Sequence, residues 1–233
     1  MDSSSTSTTT TTDAAAATAT TAARAEFDRQ AATLLAAARE TAGAATHERL
    51  RELVARLRPL AAAQPWEGVD PASGRVPFLL VASRELLPVD VMMRRATLAG
   101  RSRPGFVDRS FEPGSLRTFV PPPGTVVPDA QAYLLLDVER GEEFCGVVPS
   151  TAMDVVAQRG RTLLTIEEGV GLLTHHPGVL VKNRCFSLGG SRCGDRRVPA
   201  LWISQGAPKL GWCWEGNPHT WLGLASAGSR VAA

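Results

Sequence analysis

The sequence predicts an α+β protein, in which an N-terminal helical hairpin precedes a mixed domain that ends in a tryptophan-rich antiparallel sheet. Two observations lead to this prediction. Between residues 24 and 58 the larger apolar residues recur at the spacing of amphipathic helices. Near the C-terminus lie the runs VPALWIS, KLGWCWEG and TWLGLAS, which are separated by turn residues. Their large apolar residues recur at a period of two, which is typical of strands.

Residues 1–23 are almost entirely serine, threonine and alanine. Such a segment buries too little apolar area to offset the entropy cost of ordering, so it is predicted to be a disordered tail. In the run THERLRELVARLRPL that follows, leucines and a valine recur at i, i+3, i+4 and i+7, and Pro59 is the expected end of the helix. We expect residues 24–58 to serve packing or self-association, which leaves a homo-oligomer open.

Residues 59–76 are rich in proline, glycine and alanine and are predicted to link the hairpin to a domain over residues 77–230. In the first half of that domain, the pattern predicts strands at 78–82 and 132–138, the latter followed by a tight turn at 140–141 and a return strand. Residues 89–93 and 116–120 are further strand candidates.

Two helices are predicted next. The run PSTAMDVVAQRG is expected to be capped by Ser150 or Thr151. In TIEEGVGLLTHHPG, Thr165 and Glu168 match the T-x-x-E capping box, and a proline–glycine pair ends the element. The adjacent histidines of this run are expected to interact with the carbonyl end of the helix.

The C-terminal tryptophans fall on the predicted strands. Trp212 and Trp214 share one face of their strand, and residues 215–219 form a turn that joins it to the strand of Trp221 as a hairpin. Cross-strand aromatic pairs are therefore expected. These rings are interpreted either as a hydrophobic core or as a stacking platform for a base, a sugar or a peptide.

The bulk composition limits the function classes. A formal net charge of +2 argues against a dedicated nucleic-acid or membrane-surface protein. The chain has no apolar run long enough to span a membrane, and its N-terminus lacks the features of a secretory signal, so a cytoplasmic location is expected. The four cysteines are then expected to be free thiols before metal ligands or a disulfide.

The run KNRCFSLGGSRCGDRR is the most unusual polar segment. It carries five basic residues against one aspartate, and its glycines allow backbone amides to be exposed, which suits a phosphate or a carboxylate. It lacks the P-loop pattern. The alternative is a flexible loop whose charges pair with acidic residues elsewhere. The predicted ligand-binding residues combine this loop with the following strands: Arg192, Arg196, Arg197, Trp212, Trp214, Asn217, His219 and Trp221.

Metal and nucleophilic chemistry have weaker support. Cys185, Cys193, Cys213 and His219 are the right residue types for a zinc site, but the C-x-x-C spacing is absent. Cys213 with His219 and Asp195 is a conceivable catalytic group, although a thiol between two tryptophans is more often buried and inert. No catalytic residue, metal or cofactor is therefore predicted.

From LTIEEGVGLL to GNPHTWLGLASAGSR, and most specifically in RVPALWIS, PKLGWCW and GNPHTWLG, the sequence resembles an uncharacterised domain-of-unknown-function family of high-GC, actinobacterial bacteria. The resemblance covers about residues 77–230 and is strongest over 164–230. It implies common ancestry and no established activity, cofactor or catalytic residue.

The leading hypothesis is a non-enzymatic binding module for an anionic ligand, which would be a nucleotide, a nucleic acid or an acidic partner. The alternatives are an enzyme with a cleft near Cys213, His219 and Asp195, and a structural or oligomeric protein assembled through residues 24–58.

Overall fold

The structure, a computed structural model, describes residues 7–66 and 68–233. Helices α1 (Ser7–Thr41) and α2 (Gly43–Ala62) form the predicted helical hairpin. Both helices are longer than the sequence pattern indicated. Helix α1 enters the predicted disordered tail, of which residues 1–6 lie outside the described part, and α2 enters the predicted linker. Alanine has the highest helix propensity, so the alanine-rich segment extends a helix that is anchored further along the chain.

The apolar side of the hairpin packs inside the chain. Phe27 and Leu34 of α1 and Leu50 and Leu57 of α2 are buried in the same core as Leu80, which belongs to the first strand of the domain. The side chains that suggested self-association are therefore used within one molecule, where their burial stabilises the fold.

The domain contains two sheets. The first is wholly antiparallel and has the order β1-β3-β9-β4. The second has the order β2-β7-β6-β5-β8. The strands are β1 (Arg75–Ala82), β2 (Phe106–Val107), β3 (Ala132–Glu139), β4 (Thr162–Leu163), β5 (Cys185–Ser187), β6 (Arg197–Ser204), β7 (Ala207–Trp214), β8 (Leu222–Leu224) and β9 (Ser226–Val231).

The second sheet corrects the prediction of an antiparallel C-terminal sheet. Strands β5, β6 and β7 are antiparallel, but β2 pairs with β7 and β8 pairs with β5 in parallel. The hairpin joins β6 to β7 through Gln205 and Gly206, which both have a positive φ, as two-residue hairpin turns require.

The predicted hairpin between the strands of Trp214 and Trp221 does not form. The amide of Glu215 donates to the Arg196 carbonyl, and the carbonyl of His219 accepts from the Gly146 amide. The chain after Trp214 is thus bonded to other segments, and it carries β8 across the sheet to lie beside β5.

Three further helices are α3 (Val89–Arg95), α4 (Pro149–Gln158) and α5 (Ile166–His175). Helix α3 replaces a predicted strand, because Val89, Met92 and Met93 bury the i, i+3, i+4 face. A 3₁₀ turn over Ser115–Thr118 replaces the strand predicted at 116–120, and another over Glu142–Phe144 replaces the predicted return strand. Helix α4 begins with Pro149 after Val148 as N-cap, so neither Ser150 nor Thr151 caps it.

The predicted capping box of α5 is confirmed. The Glu168 amide donates to the Thr165 hydroxyl at 3.3 Å, and the Glu168 carboxylate accepts from the Thr165 amide at 2.7 Å. The same buried carboxylate accepts from Arg230 at 2.5 Å and from the Tyr133 hydroxyl at 2.8 Å, so it joins α5 to both β9 and β3. No helix within residues 7–66 and 68–233 is long and apolar enough to cross a membrane.

Candidate functional site

The β6–β7 hairpin divides the tryptophans between the two faces of the second sheet. In its register, Pro199 lies opposite Trp212, whereas Trp202 lies opposite Lys209. Because successive side chains of a strand point to opposite faces, Trp202 projects from one face and Trp212 with Trp214 projects from the other. The predicted ligand-binding residues therefore form two clusters rather than one site.

The first cluster, which we call the arginine–tryptophan face, consists of Arg192, Arg196, Arg197, Trp212 and Trp214. Its arginines are largely neutralised. Arg192 forms an ion pair with Glu215, and Nε of Arg196 lies 3.3 Å from the same carboxylate. Arg197 is 2.8 Å from Asp195. The hydrogen bond from Arg192 is the main cause of a lowered pKa for Glu215, so this carboxylate stays ionised at neutral pH and remains paired with Arg192 and Arg196.

The indoles of the arginine–tryptophan face pack against each other and against an arginine. The ring centroids of Trp212 and Trp214 are 5.0 Å apart at 70°. Cζ of Arg197 lies 5.5 Å from the centroid of Trp212 and 5.4 Å from that of Phe119, both within cation–π range. Trp214 remains 47% exposed. Asn217 is exposed in the turn that follows, where its backbone amide donates a hydrogen bond to the Trp214 carbonyl.

The second cluster is a concave site that we call the tryptophan groove. It has a volume of about 300 Å³ and is lined by Lys182, Asn183, Cys185, Trp202, Ile203 and Trp221. The ring centroids of Trp202 and Trp221 are 6.2 Å apart with an interplanar angle of 62°. Each indole is half-buried. The two rings therefore meet as floor and wall of an aromatic corner that is open to solvent.

The position of Trp202 depends on Gly211. A Cβ atom at residue 211 would lie 2.1 Å from Cη2 of Trp202, so the indole crosses the strand only because that residue has no side chain. Nζ of Lys209 lies 5.0 Å from the Trp202 centroid and is held by an ion pair with Asp108. Although burial opposes ionisation of Asp108, hydrogen bonds from Lys209 and Ser110 lower its pKa to about 2. These contacts position one wall of the groove.

The rim of the groove is polar. Lys182 and Asn183 occupy a tight turn closed by a 2.9 Å hydrogen bond from the Arg184 amide to the Val181 carbonyl. Asn183 has a φ of 65°, a conformation that asparagine adopts more readily than most residues. Lys182 is exposed and forms no ion pair with any residue that the structure describes. The ring centroid of His219 lies 5.2 Å from that of Trp221, but His219 is not among the residues that line the groove.

The cysteines and the two buried histidines are poorly suited to catalysis. The four cysteines are free thiols, as predicted. Burial raises the pKa of Cys213 to about 11, which opposes formation of the nucleophilic thiolate. Burial lowers the pKa values of His175 and His176 to about 3 and about 4. They are buried and neutral rather than cationic at the helix end. Within the described ranges, no three His, Cys, Asp or Glu side chains are grouped to hold a metal.

Sequence reasoning missed several residues of the groove. It named Trp221, but it did not include Trp202, Lys182, Asn183, Cys185 or Ile203 among the ligand-binding residues. The alternation in VPALWIS places Trp202 on the face of the strand away from Leu201 and Ile203. The register of a β6–β7 hairpin would then have placed its indole beside Gly211 on the neighbouring strand. The missing information was the strand pairing, since the sequence suggested a different hairpin.

No curated protein and no solved structure shows a significant match to the chain. A family of unknown function (DUF5701) matches residues 11–233, which includes the helical hairpin as well as both sheets. Because this match covers nearly the whole sequence, the chain belongs to that family of unknown function.

Proposed function

We propose that the protein is a non-enzymatic binding module whose tryptophan groove holds a small anionic ligand with a planar ring, of the chemical class of a mononucleotide. The observation that carries this proposal is the open corner formed by Trp202 and Trp221, with the unpaired ammonium group of Lys182 on its rim. Stacking of a base on an aromatic side chain contributes about 1–3 kcal/mol, and a lysine adds a point charge for a phosphate.

The polar groups of the groove support the same ligand class. In the part of the chain that the structure describes, neither the Trp202 nor the Trp221 indole N–H donates a hydrogen bond, and the Asn183 amide also has no partner. These groups are free to bond the edge of a heteroaromatic ring. Ligand sites typically combine apolar and aromatic walls with a few such polar groups.

A ligand of the size of one mononucleotide fits better than a nucleic acid or an acidic protein. The groove has a volume of about 300 Å³, whereas a nucleic-acid strand needs a long basic track. The arginines of the arginine–tryptophan face are already paired with Asp195 and Glu215, which leaves little free charge for such a track.

The rival functions have less support. The raised pKa of Cys213 argues against a thiol enzyme, and the burial of residues such as Phe27 and Leu50 within the chain's own core argues against assembly through residues 24–58. Four free thiols support a reducing, cytoplasmic location. The richness in alanine, arginine, glycine and proline supports a high-GC, actinobacterial source.

Tryptophan fluorescence titration tests the proposal, with adenosine 5′-monophosphate (AMP), adenosine and inorganic phosphate as probes at low ionic strength. We expect AMP to bind more tightly than adenosine, and phosphate alone to bind weakest, because stacking and charge act together. Trp221→Ala is expected to weaken AMP binding at least tenfold, the equivalent of about 1.4 kcal/mol. Lys182→Ala should lower the affinity for AMP to that for adenosine and leave the affinity for adenosine unchanged.

The matched control is Trp214→Ala, which removes a half-exposed indole from the opposite face of the sheet. This variant should bind AMP like the unmodified protein. The proposal fails if AMP does not bind at millimolar concentration, or if the two tryptophan variants lose the same affinity.

A further inference from the structure

A second cavity, of about 490 Å³, opens between α2 and the proline-rich segment of residues 120–131. We call it the hairpin cleft, and it is lined by residues of α2, residues 83–85, Arg117, residues 120–121 and 127–133, Thr165 and Glu167 at the start of α5, and Ala233. It shares no lining residue with the tryptophan groove.

The walls of the hairpin cleft are held in place by hydrogen bonds. Arg84 donates to the carbonyls of Leu116 and Phe119 at 3.0 and 2.9 Å and forms an ion pair with Glu167. At the other end of the proline-rich segment, the Ser83 amide donates to the Gln131 carbonyl at 2.8 Å. Since both ends of the segment are tied to the domain, the cleft is largely preformed, as ligand sites usually are.

The interior of the cleft is partly apolar. Leu53 of α2 faces the proline-rich segment, which contributes Val120, Pro121, Val127 and Pro128. Val120 is 50% exposed. An apolar group placed here would remove that surface from water, which favours binding.

The rim of the cleft carries charges of both signs that do not pair with each other. Arg56 and Arg117 form no ion pair with any described residue, and the same holds for Glu85 and Asp129. The other charged side chains of the lining are paired, because Arg84 pairs with Glu167 and Arg49 lies 3.4 Å from Glu52. Two cations and two anions are therefore available to a bound molecule.

We propose that the hairpin cleft binds a small zwitterion with an apolar side group, the chemistry of a free apolar amino acid or of a short apolar peptide. The carboxylate of the ligand pairs with Arg56 or Arg117, its ammonium group pairs with Glu85 or Asp129, and its side group packs on Leu53 and Val127. This inference does not depend on the function proposed for the tryptophan groove.

Isothermal titration calorimetry with the full chain tests the proposal, and the ligand-induced shift in melting temperature provides a second readout. The probes are L-leucine, the dipeptide Leu-Leu, n-hexanoate and n-hexylamine. At least one of the two zwitterions should bind tenfold more tightly than either singly charged molecule. A preference for leucine or for the dipeptide distinguishes a free amino acid from a peptide.

Matched variants locate the binding. Arg117→Ala and Asp129→Ala should each weaken binding of the preferred zwitterion about tenfold. Arg101→Ala and Glu112→Ala remove the same charges from exposed positions outside the cleft and should have no effect. All four side chains are exposed, so the variants should fold, which equal melting temperatures without ligand would verify.

Any of three results would overturn the inference. The first is that neither zwitterion binds at millimolar concentration by both readouts. The second is that hexanoate or hexylamine binds as tightly as the zwitterions, and the third is that the cleft variants and the control variants lose the same affinity. Trp221→Ala should leave zwitterion binding unchanged, so failure at this site is distinguishable from failure at the tryptophan groove.

Discussion

Gly211 shows how one missing side chain shapes the candidate site. Trp202 packs across its backbone, and a Cβ atom there would lie 2.1 Å from the indole. We predict that Gly211→Ala displaces Trp202, destabilises the protein by about 1–3 kcal/mol through overpacking, and changes the tryptophan emission spectrum. Thermal unfolding with fluorescence detection measures both effects.

The control for this substitution is Gly171→Ala in α5, where the added Cβ would meet only Cδ2 of Leu79 at an ordinary 3.7 Å. This variant should be at least as stable as the unmodified chain, because alanine favours helices over glycine. Equal stability losses at the two positions would show that Trp202 does not rest on Gly211.

Cys213 is predicted to be a slow nucleophile. Burial raises its pKa to about 11, so the thiolate is scarce at neutral pH. We expect iodoacetamide at pH 7.5 to modify Cys213 only when the protein unfolds, with peptide mass mapping in native buffer and in denaturant as the measurement. Rapid modification of Cys213 in the folded protein would contradict this expectation and would support an enzyme in which Cys213 is the nucleophile.

At the scale of elements, α1 meets the rest of the molecule at two buried histidines, of which His176 contacts α1 and His175 contacts β1. His176 Nε2 lies 3.5 Å from both the Gln30 amide nitrogen and the Glu26 carboxylate, and His175 Nε2 lies 3.1 Å from the Leu80 carbonyl. Burial is the main cause that lowers both histidine pKa values. The junction is therefore built for neutral imidazoles at physiological pH.

This junction predicts a pH dependence with a definite sign. The unfolded chain protonates its histidines near pH 6.5, whereas the folded chain resists protonation until the pH approaches about 4 for His176. Stability should therefore fall as the pH is lowered below about 6.5. Melting temperatures between pH 7.5 and 5 measure the slope. His176→Gln should reduce it, and His47→Gln, on α2 away from the junction, should not.

The elements that local sequence predicts well are those whose signals lie within a few residues. The capping box of α5 depends on Thr165 and Glu168, three positions apart, and it was predicted correctly. The parallel pairing of β8 with β5 was not predictable, because it is decided by bonds from residues 215–219 to Arg196 and Gly146, distant in sequence. Helix α3 was missed because its seven residues are too short to show a helical period.

The candidate site follows the same rule at the scale of the whole molecule. Composition and spacing identified the C-terminal tryptophans and the basic loop, but they joined Trp212 and Trp221 into one site. The structure separates them, because the strand register decides which face each indole occupies. The sequence predicts neither that Arg192 pairs with Glu215 nor that Lys182 forms no ion pair with a described residue, because both facts depend on that register.

The hairpin is predicted to be essential to the fold of the whole molecule rather than an appendage. Phe27, Leu34, Leu50 and Leu57 share one core with the first sheet. Burial of four such side chains contributes roughly 6–12 kcal/mol, which is comparable to the entire stability of a typical domain. A chain that begins at residue 63 should therefore show no cooperative unfolding by calorimetry. A chain that begins at residue 16 should unfold like the full protein, because it keeps every hairpin residue that the structure describes as buried, from Ala23 onward. A cooperative transition at an unchanged temperature without the hairpin would instead mean that α1 and α2 only rest on an independently stable domain.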